Sequence, residues 1–212
     1  MARILVVGRS GTGKTTLVIR MALEAMQKFG KQLELIVVSP TFGKQEMFRP
    51  LDQAVVYHAS IINSEVARNI YHHVDENWSK SGQKKKKIWV IIDDMGESTF
   101  IKLCKKDNSL LNLITEARQL DLVMFDLVQR FTQAPTAFRS NAEMGIFFKI
   151  ESERELRQVW DEFAAELEFE TFKKLCDQVW KEPYSYVKIC RKDPHNKLYF
   201  DCDKHIKGVH FH

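Results

Sequence analysis

At 212 residues with a formal charge of +4 and 44% hydrophobic content, the chain suits one large domain, or one domain with a small appendage, with the composition of an ordinary soluble globular protein. Its apolar runs, such as Ile88 to Ile92, fall far short of a bilayer span, and Met1-Ala2-Arg3 leads into a glycine-rich loop rather than a signal peptide, so an intracellular protein is expected. Cys104, Cys176, Cys190 and Cys202 contain no C-x-x-C pair, which predicts free thiols and no disulfide. A charge this small permits an anionic partner without identifying one.

Arg3 to Val7 reads as a buried strand, and it runs directly into Gly8-Arg9-Ser10-Gly11-Thr12-Gly13-Lys14-Thr15-Thr16, which carries the G-x-x-x-x-G-K-[ST] spacing. Glycines at these points let the backbone N–H groups turn inward around a phosphate. Lys14 then supplies a charge at the β- and γ-phosphates and Thr15 a hydroxyl for Mg²⁺, while the helix that starts here aims its N-terminus at the anion. That helix should run from about Lys14 to Lys28 and end at Gly30. Leu33 to Val38 is the next strand, broken by Ser39-Pro40-Thr41 at the sheet edge where open α/β sheets place ligands. A short strand at Val55 to Tyr57, a helix over about 63–78 and a lysine-rich loop at 81–87 follow.

Ile88-Trp89-Val90-Ile91-Ile92-Asp93-Asp94 is a continuous apolar run suited to a central strand, with two carboxylates at its end. This is a Walker B pattern. Acids beside low-dielectric packing need a cation or a reaction to justify them. Asp93 is assigned to the Mg²⁺ shell with Thr15, and Asp94 to orienting and deprotonating the attacking water. Asp93-x-x-Gly96 also fits a GTPase element, but the Asn196-Lys197 pair continues as Leu198-Tyr199 and so fails the guanine-binding N-K-x-D pattern. ATP is the expected nucleotide.

A helix over about 108–120 leads to a strand at Leu122 to Val128, and Gln129 at its end stands where a γ-phosphate sensor belongs, a position that equally suits a polar strand-end residue facing solvent. Arg118 and Arg139 are the candidate arginines for neutralising transition-state charge from a neighbouring subunit. Gly145 to Ile150 supplies a further strand. Two helices over 151–182 and two strands, Tyr184 to Ile189 and Leu198 to Asp201, complete the chain. The Lys84 to Lys87 run is expected to be a solvated loop at the sheet edge opposite the nucleotide. Cys190, His195, Cys202 and His205 match no common zinc spacing. The strand–helix alternation predicts an α/β fold, a P-loop NTPase with a mainly parallel sheet flanked by helices, of RecA-like, ASCE type. A core over about 1–150 and a small helical and hairpin extension over about 151–212 form one domain.

The phosphate loop, Ile36 to Thr41, the segment Ile91 to Met95, the run Glu116-Ala117-Arg118-Gln119, and Val128-Gln129, Pro135 and Phe138-Arg139-Ser140-Asn141 together resemble the genome-packaging ATPases of poxviruses, giant viruses and virophages, in the HerA-FtsK superfamily. Cellular relatives usually carry Glu where Asp94 stands, which makes Glu97 a fallback base, and the family often has Arg-His where this chain has Arg118-Gln119. The resemblance implies an ATP-hydrolysing motor that forms a homo-oligomeric ring and moves double-stranded DNA into a preformed capsid at its portal vertex. It implies ATP and Mg²⁺ bound between subunits, an arginine finger in trans, Gln129 as sensor, and residence in the host cytoplasm, a viral factory or the virion vertex. A small-molecule P-loop kinase would need an arginine-rich lid that is not visible, and an ATP-dependent assembly protein with little turnover would be expected to lack Lys14 or the acid pair.

Overall fold

The computed structural model describes residues 2–44, 46–80, 85–94, 108–117, 119–191 and 198–205. Six parallel strands form the body of the sheet: β1 (Ala2–Val7), β2 (Leu33–Val38), β3 (Val55–Ala59), β4 (Lys87–Asp93), β5 (Leu122–Val128) and β6 (Met144–Phe148), in the order β3-β2-β4-β5-β1-β6. Strands β7 (Tyr186–Cys190), β8 (Leu198–Asp201) and β9 (Lys204–His205) continue the same sheet antiparallel beyond β6. The expected mainly parallel α/β architecture is observed, and β5 lies between the phosphate-loop strand and the strand carrying the acid pair.

Strands buried on both faces need apolar residues at successive positions, and β1, β2, β4 and β5 have them. Ile4, Val6, Leu35, Val37, Ile91, Phe125 and Leu127 point to the face covered by helix α1 (Lys14–Phe29). A 3-10 segment, Glu46–Leu51, packs with Phe48 and Leu51 on that side. The opposite face, with Leu5, Val7, Val90, Ile92, Met124 and Val128, is covered by α2 (Ser64–Trp78), α3 (Asn108–Glu116), α4 (Thr136–Asn141), α5 (Glu153–Phe163) and α6 (Phe169–Val179). Phe131, Phe147 and Phe163 meet there with ring centroids 5.1–6.3 Å apart, partly edge to face.

Local chemistry sets the helix boundaries. Asn63 caps α2 by accepting from the Val66 amide at 2.9 Å, and Ser152 caps α5 through the Glu155 amide. The third helix is regular to Glu116, and the Leu120 amide still reaches the Glu116 carbonyl at 3.0 Å; the left-handed Asp121 (φ 54°), with the Leu122 amide donating to the Ala117 carbonyl at 3.0 Å, closes this end so that Leu122 can pair with Ile88. Strand β6 ends at Phe148, two residues before the expected limit. Helix α4 and the 3-10 segment around Pro50 are too short to leave a periodic signal. The lysines of the loop before β4 lie at the N-terminal end of the strands: Lys87 pairs with Asp121 at 2.7 Å and Lys86 donates to the Lys31 carbonyl. Lys84 lies outside the described residues.

One polar residue sits in the middle of the sheet. Asp126 on β5 is 1% exposed, its Oδ2 meets no hydrogen-bond partner, and burial pushes its pKa up to about 8. The folded chain therefore holds a proton that the unfolded chain releases near pH 4, so stability falls as pH rises between about 4 and 8 and levels off above. Asp126→Asn should remove a slope of at most about 1.4 kcal/mol per pH unit across that window, measured by chemical denaturation at pH 5, 6.5 and 8.

Candidate active site

The phosphate loop rises from the C-terminal end of β1 and enters α1 at Lys14. Gly13 stands at φ 97°, a conformation open to glycine and strained for a side chain, and it turns the chain into the helix. Gly8 is required for a different reason: a Cβ there would lie 2.7 Å from both Phe148 Cβ and Thr12 Oγ1. Thr12 closes the loop on itself, its hydroxyl donating to the Arg9 carbonyl at 2.8 Å. Lys14 lies inside this ring, 7% exposed, and donates to the carbonyls of Gly8 (2.5 Å) and Arg9 (3.0 Å). Burial lowers its pKa, while Asp93 and Asp94 pull the other way.

The acid pair divides as the alternation of a strand requires. Asp93, 4% exposed, points toward α1, where the Thr15 hydroxyl donates to its two oxygens at 3.2 and 3.4 Å and the Ser39 hydroxyl donates to Oδ2 at 3.3 Å. Burial raises the Asp93 pKa; the Thr15 bond opposes that, and Asp94 adds to it. An oxygen pair of this kind, hydroxyl beside carboxylate, suits a hard cation that completes its shell with phosphate oxygens and water.

Asp94 leaves the strand in a left-handed conformation (φ 51°) with its carboxylate exposed, and the Gln129 side-chain amide donates to both oxygens, at 2.9 and 3.1 Å. Gln129 is held in turn by Gln133, whose Oε1 accepts from the backbone amides of Gln129 (3.0 Å) and Arg130 (2.9 Å). The Phe131 amide donates to Glu155 Oε1, which ties this turn to α5. Ser10, Gly11, Gly13, Lys14, Thr15, Thr16, Asp93, Asp94 and Gln129 all border one cleft of about 690 Å³.

The structure thus brings together the phosphate loop, Thr15, Asp93, Asp94 and Gln129. Arg9 is exposed and pairs with Glu151. Arg139 lies elsewhere: its side chain is 15% exposed, ion-paired with Glu162 at 3.3 Å and stacked on Phe131. Arg118, Gly96 and Glu97 fall outside the described residues, as does His195. Two residues join the site to which the motifs gave no role. Ser39 satisfied the same criterion that selected Gln129, a polar residue just past a strand end. Gln133 carried no signal, because its role depends on a turn visible only in three dimensions.

Residues 1–159 match the family described as "Poxvirus A32 protein". The chain belongs to the poxvirus A32 protein family. Membership bears out the expected class, a viral genome-packaging type of P-loop ATPase. The chain is 27% identical to "Uncharacterized protein 075L" of Invertebrate iridescent virus 6 over 97% of this chain and 84% of that protein. Its fold is similar to the genome packaging NTPase B204 from Sulfolobus turreted icosahedral virus 2, solved in complex with ATPγS (TM-score 0.66, 14% identity, 94% of this chain and 97% of that one). It also resembles B204, the DNA-packaging ATPase from Sulfolobus Turreted Icosahedral Virus (TM-score 0.64, 13% identity, 99% and 98% covered).

Removing the charge at the centre of the loop, by Lys14→Ala, should lower ATP turnover by at least about 10²-fold. Asp94→Asn should leave ATP binding within about twofold of wild type while lowering turnover by about 10²-fold or more, because Asn tolerates the left-handed backbone but cannot accept the proton. Binding titrations beside single-turnover hydrolysis check both; wild-type turnover in the Asp94 variant would move the base elsewhere.

Proposed function

We propose that this protein is an ATP-hydrolysing motor that moves double-stranded viral DNA into a preformed capsid. The observation that supports this most is the Gln129–Asp94 pair beside the phosphate loop, in a chain of this family. Loop amides and Lys14 would hold the β- and γ-phosphates, and Thr15 and Asp93 would hold Mg²⁺, which neutralises charge on the phosphate oxygens. Asp94 would orient the attacking water and take its proton. The Gln129 amide can serve either the Asp94 carboxylate or a γ-phosphate oxygen, so engagement of the γ-phosphate would free Asp94 for the water.

The remaining transition-state charge would be met by an arginine of a neighbouring subunit in a homo-oligomeric ring. Arg118 and Arg139 are the candidates, and Arg139 would have to leave Glu162 to act. Such a motor would work in the host cytoplasm, a viral factory or at a capsid vertex, where its partner would be the portal.

ATPase rate with and without double-stranded DNA tests the reading directly. A several-fold stimulation that collapses as salt rises from about 50 to 200 mM is expected, since the DNA contact is to phosphates, together with rings in the presence of an ATP analogue. A monomer indifferent to DNA but active on a nucleoside or small acid would replace the motor with a kinase.

A further inference from the structure

We propose that Tyr184 is the platform on which the base of the bound nucleotide stacks. The inference rests on the nucleotide-binding reading of the cleft and adds the subsite that the phosphate loop and acid pair leave unassigned.

Tyr184 combines three properties that seldom occur together. Its backbone lies at φ 63°, a left-handed conformation costly for a bulky residue. Its side chain is 72% exposed, more than any other large apolar residue among those described. It also borders the same cleft as Lys14 and Asp94, and a Cβ at Gly13 would stand only 3.5 Å from its ring. An exposed aromatic held in a strained conformation contributes little to the core, so its placement calls for another account.

Topology supplies one. Asp93, Asp94 and Gln129 reach the loop from β4 and β5, on one side of β1, whereas Tyr184 reaches it from the turn before β7, on the other. A triphosphate whose γ end faces Asp94 therefore has its base directed to the β7 side. The floor there is firm. Tyr186 is 5% exposed and packs on Phe148 with ring centroids 5.4 Å apart, and its hydroxyl meets Arg20 of α1 at 3.5 Å. The Ser185 hydroxyl donates to the Glu182 carbonyl at 2.6 Å, which fixes the turn that presents Tyr184. A stacking surface reads the π-face that every base has, so it serves adenine and guanine alike.

Equilibrium binding of ATP, GTP and inorganic tripolyphosphate, each with Mg²⁺, tests this. Tyr184→Ala should bind ATP and GTP about tenfold to a hundredfold more weakly while holding tripolyphosphate as the wild type does, and Tyr184→Phe should keep wild-type affinity for all three. Tyr184→Gly should lose base affinity in the same way with no fall in thermal midpoint, because glycine adopts φ 63° freely, which separates lost stacking from lost fold. Wild-type ATP affinity in the alanine variant, or a parallel loss of tripolyphosphate, would overturn the platform. A wild-type protein that binds tripolyphosphate as tightly as ATP would also overturn it while leaving the phosphate loop in place. Binding of neither ligand by the wild type would instead refute the nucleotide site itself.

Discussion

Two backbone hydrogen bonds at the end of β5 hold the catalytic arrangement together. The Val128 carbonyl accepts from the Gly8 amide at 3.1 Å and the Leu127 carbonyl accepts from the Asp94 amide at 3.2 Å. One strand thereby clips the start of the phosphate loop on one side and the second acid of the pair on the other, then continues into Gln129. The separation of the phosphate loop from Asp94 is thus set by the width of a sheet rather than by flexible side chains. Parallel pairing carries the constraint down the strands: Val7 lies opposite Val128, and Asp93 lies opposite Leu127. A one-residue slip of β5 would send Gln129 to the wrong face and break both clips.

The far end of the strands is secured by charge. Arg3 and Glu143, each about 5% exposed as side chains, form an ion pair at 2.7 Å, and Arg3 also donates to the Ile114 carbonyl at 2.8 Å. A buried pair of this kind adds little net stability once desolvation is counted, but it tolerates few alternative geometries. It joins β1 to the residue before β6 and to the end of α3, so it fixes which strand neighbours the phosphate-loop strand at its base. Asp126, halfway along β5, has no such partner for its Oδ2. The contrast is instructive: a carboxylate paired with a guanidinium can be buried as a charge, whereas a solitary one is buried as an acid.

Much of the frame was legible in the amino-acid order because its elements are long and chemically one-sided. Ile88 to Ile92 can be little other than a buried strand, and the spacing of Gly8, Gly13 and Lys14 is dictated by phosphate geometry. Asp93, Asp94 and Gln129 could be placed at strand ends for the same reason. What escaped depends on contacts that only the folded chain sets. Gln133 matters through a turn, Arg139 is defined by Glu162 and Phe131, and Ser39 acquires meaning only once β2 and β4 are adjacent. Tyr184 read as the start of a strand, since tyrosine is a common strand residue and nothing in its type points to a positive φ.

The left-handed conformation of Asp94 carries a consequence for how this active site can vary. Short polar side chains tolerate that backbone because they can hydrogen-bond locally, and longer ones tolerate it less well. The choice between Asp and Glu at this position is therefore not a matter of one methylene alone. A longer acid would favour a different exit from β4, and with it a different reach into the cleft. Acid length and strand geometry should accordingly travel together through related chains, inherited as one unit.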